Sequence, residues 1–208
     1  MKPSNSAKAV LIIIIAVAFL FASCSFIGDN FVWDNGLRYL WSYSEEEENQ
    51  KYNYTSELLT DSHSIQIDLD NLDSNIGQKI YKNGRCYIDI GEILPYDAEQ
   101  GGYRIRFYSH GPYGMFGGQL VSIMDHQIID GVGSGNISAS FVTEYNNKTY
   151  TCTLEESMGL MRNDGDMFCY YLFPQEAYES GEVPTENIGK VTITLSNLTE
   201  SKWTRKFF

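Results

Sequence analysis

From residue 60 to the C-terminus the apolar side chains fall on alternate positions, in short runs separated by Gly, Asn and Asp clusters. A period of two puts one set of side chains on a single face of an extended strand, whereas a helix would scatter the same residues around its circumference. His63, Ile65, Ile67 and Leu69 share one face, with Ser64, Gln66 and Asp68 on the other. Tyr103, Ile105 and Phe107 repeat the pattern against Arg104, Arg106 and Tyr108. Val191, Ile193 and Leu195 do so against Thr192, Thr194 and Ser196. Leu120 to Met124 reads as a further strand, and Met167 to Phe173, apolar at almost every position, as a central strand covered on both faces.

Two hairpins carry their own turn chemistry. Asn83-Gly84, between Lys82 and Arg85, suits a type I′ turn, and Cys86, Ile88 and Ile90 follow on one face. Ile137, Ala139, Phe141 and Tyr145 lead into Asn146-Asn147-Lys148, after which Tyr150, Cys152 and Leu154 return as the inner face of a partner strand. The glycine-rich stretch Asp130 to Asn136 is expected to be a loop. No helical segments interleave the strands and no repeat is evident. The expectation is therefore an all-β fold, an antiparallel β-sandwich or jelly-roll-like body of about eight to ten short strands.

The first 24 residues follow another rule. Lys2 and Lys8 precede an unbroken apolar run from Ala9 to Ala22, which stops at Ser23-Cys24-Ser25. That order is the n-region, h-region and cleavage site of an export signal. As a helix the run would span about 21 Å, short of the roughly 30 Å hydrocarbon core, so a cleaved signal is expected rather than a permanent span. Leu20-Phe21-Ala22-Ser23-Cys24 resembles the lipobox of bacterial lipoproteins. This resemblance, confined to the leader, implies that Cys24 becomes the new N-terminus and carries acyl chains such as palmitate, the membrane then being a partner through that anchor. It also implies a place in the cell envelope, where Ser25 after the cysteine is compatible with an outer membrane or the cell surface.

The expected organisation is a signal peptide over residues 1–23, a lipid-anchored tether and N-terminal segment over 24–60, and the β-sandwich over 61–208. In the tether Trp33, Leu37, Leu40 and Trp41 have helical spacing, and the expected short helix packs its tryptophans against an open edge or end of the sandwich. Glu45 to Glu48 then read as a solvated run. The rival address is a soluble secreted glycoprotein, since Asn-X-Ser/Thr sequons occur at Asn53, Asn136, Asn147 and Asn197, although about two would arise by chance.

Fifteen Lys and Arg against 27 Asp and Glu leave a net charge of −12. Nucleic acid is bound through clustered cations that release counterions, so this balance excludes it as an expected partner. The only basic aromatic stretch after the leader is the tail Lys202 to Phe208, best read as an edge strand whose cations discourage pairing.

Chemistry is harder to place. Cys86, Cys152 and Cys169 all fall on apolar faces, and Cys152 with Cys169 is the disulfide candidate, a short loop whose closure is worth about 3 kcal/mol in an oxidising compartment. No Cys-X-X-Cys exists, and His63, His110 and His126 lie in separate segments, so no metal site or cofactor is expected. Gly131 to Gly135 lacks the glycine two residues before Ser134 that a nucleophile elbow requires. Two acidic turns, Asp68 to Asn75 and Asn163 to Asp166, carry oxygen ligands that calcium accepts, but neither completes an EF-hand loop and such turns form for local reasons.

The preferred binding surface is the glycine-rich connection His110 to Gly118, where Tyr113 and Phe116 offer flat apolar area and Arg104 and Arg106 add polar anchors. A carbohydrate or protein is the expected ligand of an envelope binding or structural module. The alternative is an envelope hydrolase, carbohydrate-active in the first instance, because two carboxylates on a sandwich face need no local motif.

Overall fold

The computed structural model describes residues 12–17, 36–42, 51–129, 132–161 and 165–207, with backbone alone for 127–129 and 132–134. Two antiparallel sheets face each other across one apolar core, so the all-β sandwich expected from the alternation is the observed architecture. Thirteen strands occur among the described residues, more than expected, the shortest of them β5 (Tyr113–Gly114). The remaining strands of the first sheet are β1 (Tyr52–Asp68), β6 (Gly117–Ser122), β9 (Ser140–Tyr145), β10 (Lys148–Thr151) and β13 (Lys190–Arg205). The second sheet has the order β11 (Thr153–Met158), β12 (Met167–Tyr171), β4 (Arg104–His110), β3 (Cys86–Leu94), β2 (Lys79–Asn83).

The long strand β13 organises the first sheet. Along one side it pairs with β1 from Asp68↔Lys190 to Tyr52↔Arg205. Along the other, its first half pairs with β9 and its second half with β6. The change of partner falls at Asn197, whose φ of +57° breaks the extended backbone, and β1 shifts register opposite it between Leu59 and Ser62. A bulge of this kind bends a strand and lets it serve two neighbours. The β9–β10 hairpin turns at Asn146 and Asn147, with φ of +50° and +61°, as a type I′ turn demands. The β2–β3 turn lies one residue later than expected: Asn83 pairs with Cys86, and Gly84, with φ of +59°, and Arg85 make the turn.

Alternation sorts the side chains as the period predicts. Ile67, Phe141, Val191, Ile193 and Leu195 from one sheet meet Ile88, Ile105, Phe107, Phe168 and Tyr170 from the other, all buried. Phe107 spans the gap, its ring 5.5 Å from Phe141 and stacked at 5.4 Å on Phe168. β12 is covered on both faces as expected, although it is next to the sheet edge rather than central.

Three expectations are corrected. The stretch Asp130 to Asn136 was expected as a loop, but Val132–Ile137 forms β8 and pairs with β7 (Met124–Ile129) in a separate two-stranded sheet. The sandwich also begins before residue 61, because β1 starts at Tyr52 and the helix at 36–42, α1, buries Leu37 and Leu40 completely. These two leucines lie with Tyr52, Leu120, Leu160 and Trp203 in a second, smaller core, with Trp41 packed against it. The sequence spacing placed a short helix here with Trp33 and Trp41 packed on the sandwich; Trp41 does pack there, and Trp33 lies outside the described residues.

The third correction is the Cys152–Cys169 disulfide, which is not formed: both thiols are free and buried. Phe168 and Tyr170 face the main core, so Cys169 between them points to the opposite side of the sheet, whereas Cys152 belongs to the core itself. Cys152 sits where the chain passes from β10 to β11, with its sulfur 3.2 Å from Thr143 Oγ1 and 3.3 Å from the Leu172 carbonyl.

Candidate functional site

The four residues expected to bind ligand do not converge. Arg104 and Arg106 lie on the outer face of the second sheet, each already paired: Arg104 with Glu155 at 2.7 Å and Arg106 with Glu92 at 2.5 Å. Cys169 is fully buried on this face, where burial and then the neighbouring Glu155 push its thiol up to about 12, so it is no nucleophile at neutral pH. Burial opposes the Glu155 charge, but hydrogen bonds from Cys169 and Arg104 outweigh it and hold the carboxyl below its ordinary range. His110 continues the row, 3.0 Å from Asp89 and stacked on Tyr87. The face is a ladder of ion pairs that engages the guanidinium ends of both arginines, although the Nε of each stays buried without a partner.

Tyr113 and Phe116 lie at the β5–β6 hairpin of the other sheet. Tyr52 donates its hydroxyl to the Met115 carbonyl at 3.1 Å, and the Arg205 N–H donates to the Phe116 carbonyl at 2.9 Å, so β1 and β13 hold the turn. Tyr113 is half-buried against the second core, while Phe116 stays 61% exposed with Phe207 beside it. Between this hairpin and β13 opens a shallow cleft of about 440 Å³, lined among others by Arg85, Tyr113, Phe116, Gln119, Lys202 and Thr204. Lys202 is held in its charged form by a hydrogen bond to Glu200, which raises its pKa, and Glu200 also accepts from Gln119 at 2.5 Å. Arg85, on the tight β2–β3 turn, makes no ion pair among the described residues. Arg85, and Lys202 in its ion pair with Glu200, therefore flank an exposed aromatic ring, of which the sequence reading named the aromatic half.

A buried polar pair escaped the sequence altogether. His126 on β7 and Asp166, before β12, are 4% and 1% exposed, with Nε2 2.8 Å from Oδ2. The other Asp166 oxygen accepts the Leu160 N–H at 2.7 Å, and the Asp166 N–H donates to Ser109 Oγ at 2.9 Å. An acceptor-only carboxylate so placed requires the proton on Nε2. His126 lines a cavity of about 320 Å³ with Arg38 and Trp41 of α1, Met124 and Leu160. Forty positions separate the pair, and no local spacing announces it. The nearest signal was an acidic turn ending at Asp166, weighed for calcium and read as a local Asx-rich turn.

Cys24 lies outside the described residues, as do Asn163 and Asp164. The other acidic turn is internally satisfied: Asn75 donates to the Asp68, Asn71 and Leu72 carbonyls, and Asp70 accepts the Gly189 N–H. His63 packs edge-on against Tyr81, so the three histidines occupy three separate places. No family model matches this chain, and neither a curated protein nor a solved structure does. No helix among the described residues is long and apolar enough to cross a membrane.

Proposed function

We propose that this chain is an exported lipoprotein, anchored to a membrane of the cell envelope through Cys24, whose β-sandwich is a carbohydrate-binding module. The leader composition supports the anchor. The binding role rests on one observation: Phe116 stays exposed on a hairpin held by two long strands, beside a cleft flanked by Arg85 and Lys202. A rigid aromatic ring loses little entropy on stacking, and sugar rings present the matching flat faces. The cleft volume falls in the range of roughly 300–1,000 Å³ typical of small-ligand sites, while a protein interface needs about 800 Å² per partner. A sugar with an acidic substituent suits Arg85, which has no ion pair among the described residues, on a chain of net charge −12.

Two measurements test the reading. Intact mass and detergent partitioning of protein from its own host are expected to show acyl chains that the Cys24→Ala variant loses; an unacylated, water-soluble mature form would refute the anchor. On an array of neutral and acidic glycans, the wild-type chain is expected to retain acidic glycans and Phe116→Ala to lose them at unchanged stability. Wild-type binding to no glycan, or equal binding by Phe116→Ala, rejects the cleft as the site.

A further inference from the structure

The end of the sandwich that carries the Phe116 cleft is also the end at which the tether joins the fold. Lys51, the last residue before β1, accepts the Lys206 N–H on its carbonyl at 2.7 Å, and the neighbouring Arg205 N–H holds the Phe116 carbonyl. The other described piece of the tether, α1, packs at the same end. A side chain on Gly118, a residue that lines the cleft, would put its first carbon 2.6 Å from Leu37 Cδ2 of that helix. α1 begins at residue 36, twelve residues after Cys24, a stretch that spans at most about 43 Å when fully extended.

Two features at this end play no part inside the cleft. Phe207 is not among the residues that line it, yet is 80% exposed with its ring 6.3 Å from that of Phe116. Adjacent exposed phenylalanines on a folded chain mark a surface that another apolar phase covers. Arg205 closes β13 beside them and, like Arg85, makes no ion pair among the described residues, while Lys51 and Lys206 add charge of the same sign. A basic end on a chain of net charge −12 turns the molecule toward an anionic surface.

Given the carbohydrate reading and the Cys24 anchor, on which this rests, we propose that the acidic sugar of the Phe116 cleft is the headgroup of a glycolipid in the membrane that holds the anchor. The sugar stacks on Phe116, its acidic substituent meets Arg85, and Phe207 beside it rests in the boundary between headgroups and acyl chains. Arg205 adds attraction to the anionic surface around that headgroup. An anchor in the same bilayer makes the encounter effectively intramolecular, so a weak affinity for one headgroup is enough to hold the cleft on it.

The full acylated chain, carrying fluorophenylalanine, is reconstituted in phosphatidylcholine vesicles that contain a gadolinium-chelate lipid, with sialyllactosylceramide, lactosylceramide or phosphatidylglycerol added. The fluorine resonances of Phe116 and Phe207 are assigned by their loss in Phe116→Leu and Phe207→Leu. Sialyllactosylceramide is expected to broaden both, more than the neutral glycolipid or phosphatidylglycerol does. Free sialyllactose over plain phosphatidylcholine vesicles is expected to shift the Phe116 resonance alone. In Phe207→Ala that shift keeps its midpoint, whereas displacing the chain from sialyllactosylceramide takes about tenfold less free sialyllactose, equivalent to about 1.4 kcal/mol. If free sialyllactose leaves Phe116 unmoved, the cleft is not an acidic-sugar site and both readings fall. If it moves Phe116 while sialyllactosylceramide broadens Phe207 no more than the other two lipids, the cleft stands and its lipid source is overturned. An unchanged displacement midpoint in Phe207→Ala overturns the bilayer contact of Phe207.

Discussion

The space between the two sheets and the smaller space under α1 differ in what they enclose. Between the sheets the buried contacts are almost wholly apolar, built from the inner faces of strands that alternate cleanly. Under α1 the apolar set of Leu37, Leu40, Tyr52, Leu120, Leu160 and Trp203 is bordered by a buried histidine–carboxylate pair and by the indole donors of Trp41 and Trp203, which lack acceptors. Apolar burial stabilises without conditions, whereas buried polar groups cost free energy unless every one is matched. The first region is organised for stability. The second keeps two indole donors without acceptors, where the first keeps the Tyr170 hydroxyl, and adds the buried histidine–carboxylate pair.

That contrast is open to breaking. The largest loss is expected from Phe107→Ala, which empties the middle of the main core beside Phe141 and Phe168. It should lower unfolding free energy by about 3–5 kcal/mol in denaturant titration. A value near that of a surface substitution would mean that the sheets do not meet as described. Asp166→Ala comes next, at about 3 kcal/mol, because it strands the buried His126 and the Leu160 N–H, while the backbone bonds to Ser109 remain. A double-mutant cycle with His126→Ala should return a coupling of about 1–3 kcal/mol. Strict additivity would mean that the two side chains do not act as a pair.

The same contrast explains what could be read from the chain. Alternation is a local property, so the inner faces around Ile88, Phe107 and Ile193 were visible in the sequence, as was the Asn146-Asn147 turn, whose residues tolerate positive φ. Cys169 shows the limit: on a strand covered on both sides the alternation loses its meaning, and a thiol assigned to an apolar face belongs beneath two arginines. Val132–Ile137 shows another, since β8 pairs with β7 despite glycines at 133 and 135 that weaken any strand signal. Phe116 was legible as an aromatic out of place in a glycine-rich turn, but Arg85 and Lys202 beside it come from a turn and a strand far away in sequence. Helical spacing announced α1 and a face to dock it, but the His126–Asp166 pair joins remote segments that no periodicity encodes.

The docking of α1 can itself be tested by a single methyl group. Gly118 on β6 lies directly beneath the helix, and a side chain there would put its first carbon 2.6 Å from Leu37 Cδ2 and 2.7 Å from Leu40 Cδ1. Both clashing atoms are ends of flexible side chains, so Gly118→Ala is expected to push α1 outward rather than unfold the sandwich. Overpacking of this kind costs about 1 kcal/mol at the mild end of its range. Gly114, on the neighbouring β5, has nothing within 4 Å of the same added carbon, so Gly114→Ala should stay within about 0.5 kcal/mol of wild type. The difference between the two glycines measures how closely the helix approaches the sheet, and the fluorescence of Trp41 should move with the first and not the second. Equal stability and equal spectra would place α1 away from Gly118, removing the roof from the smaller core and with it the cavity that Arg38 and Trp41 line.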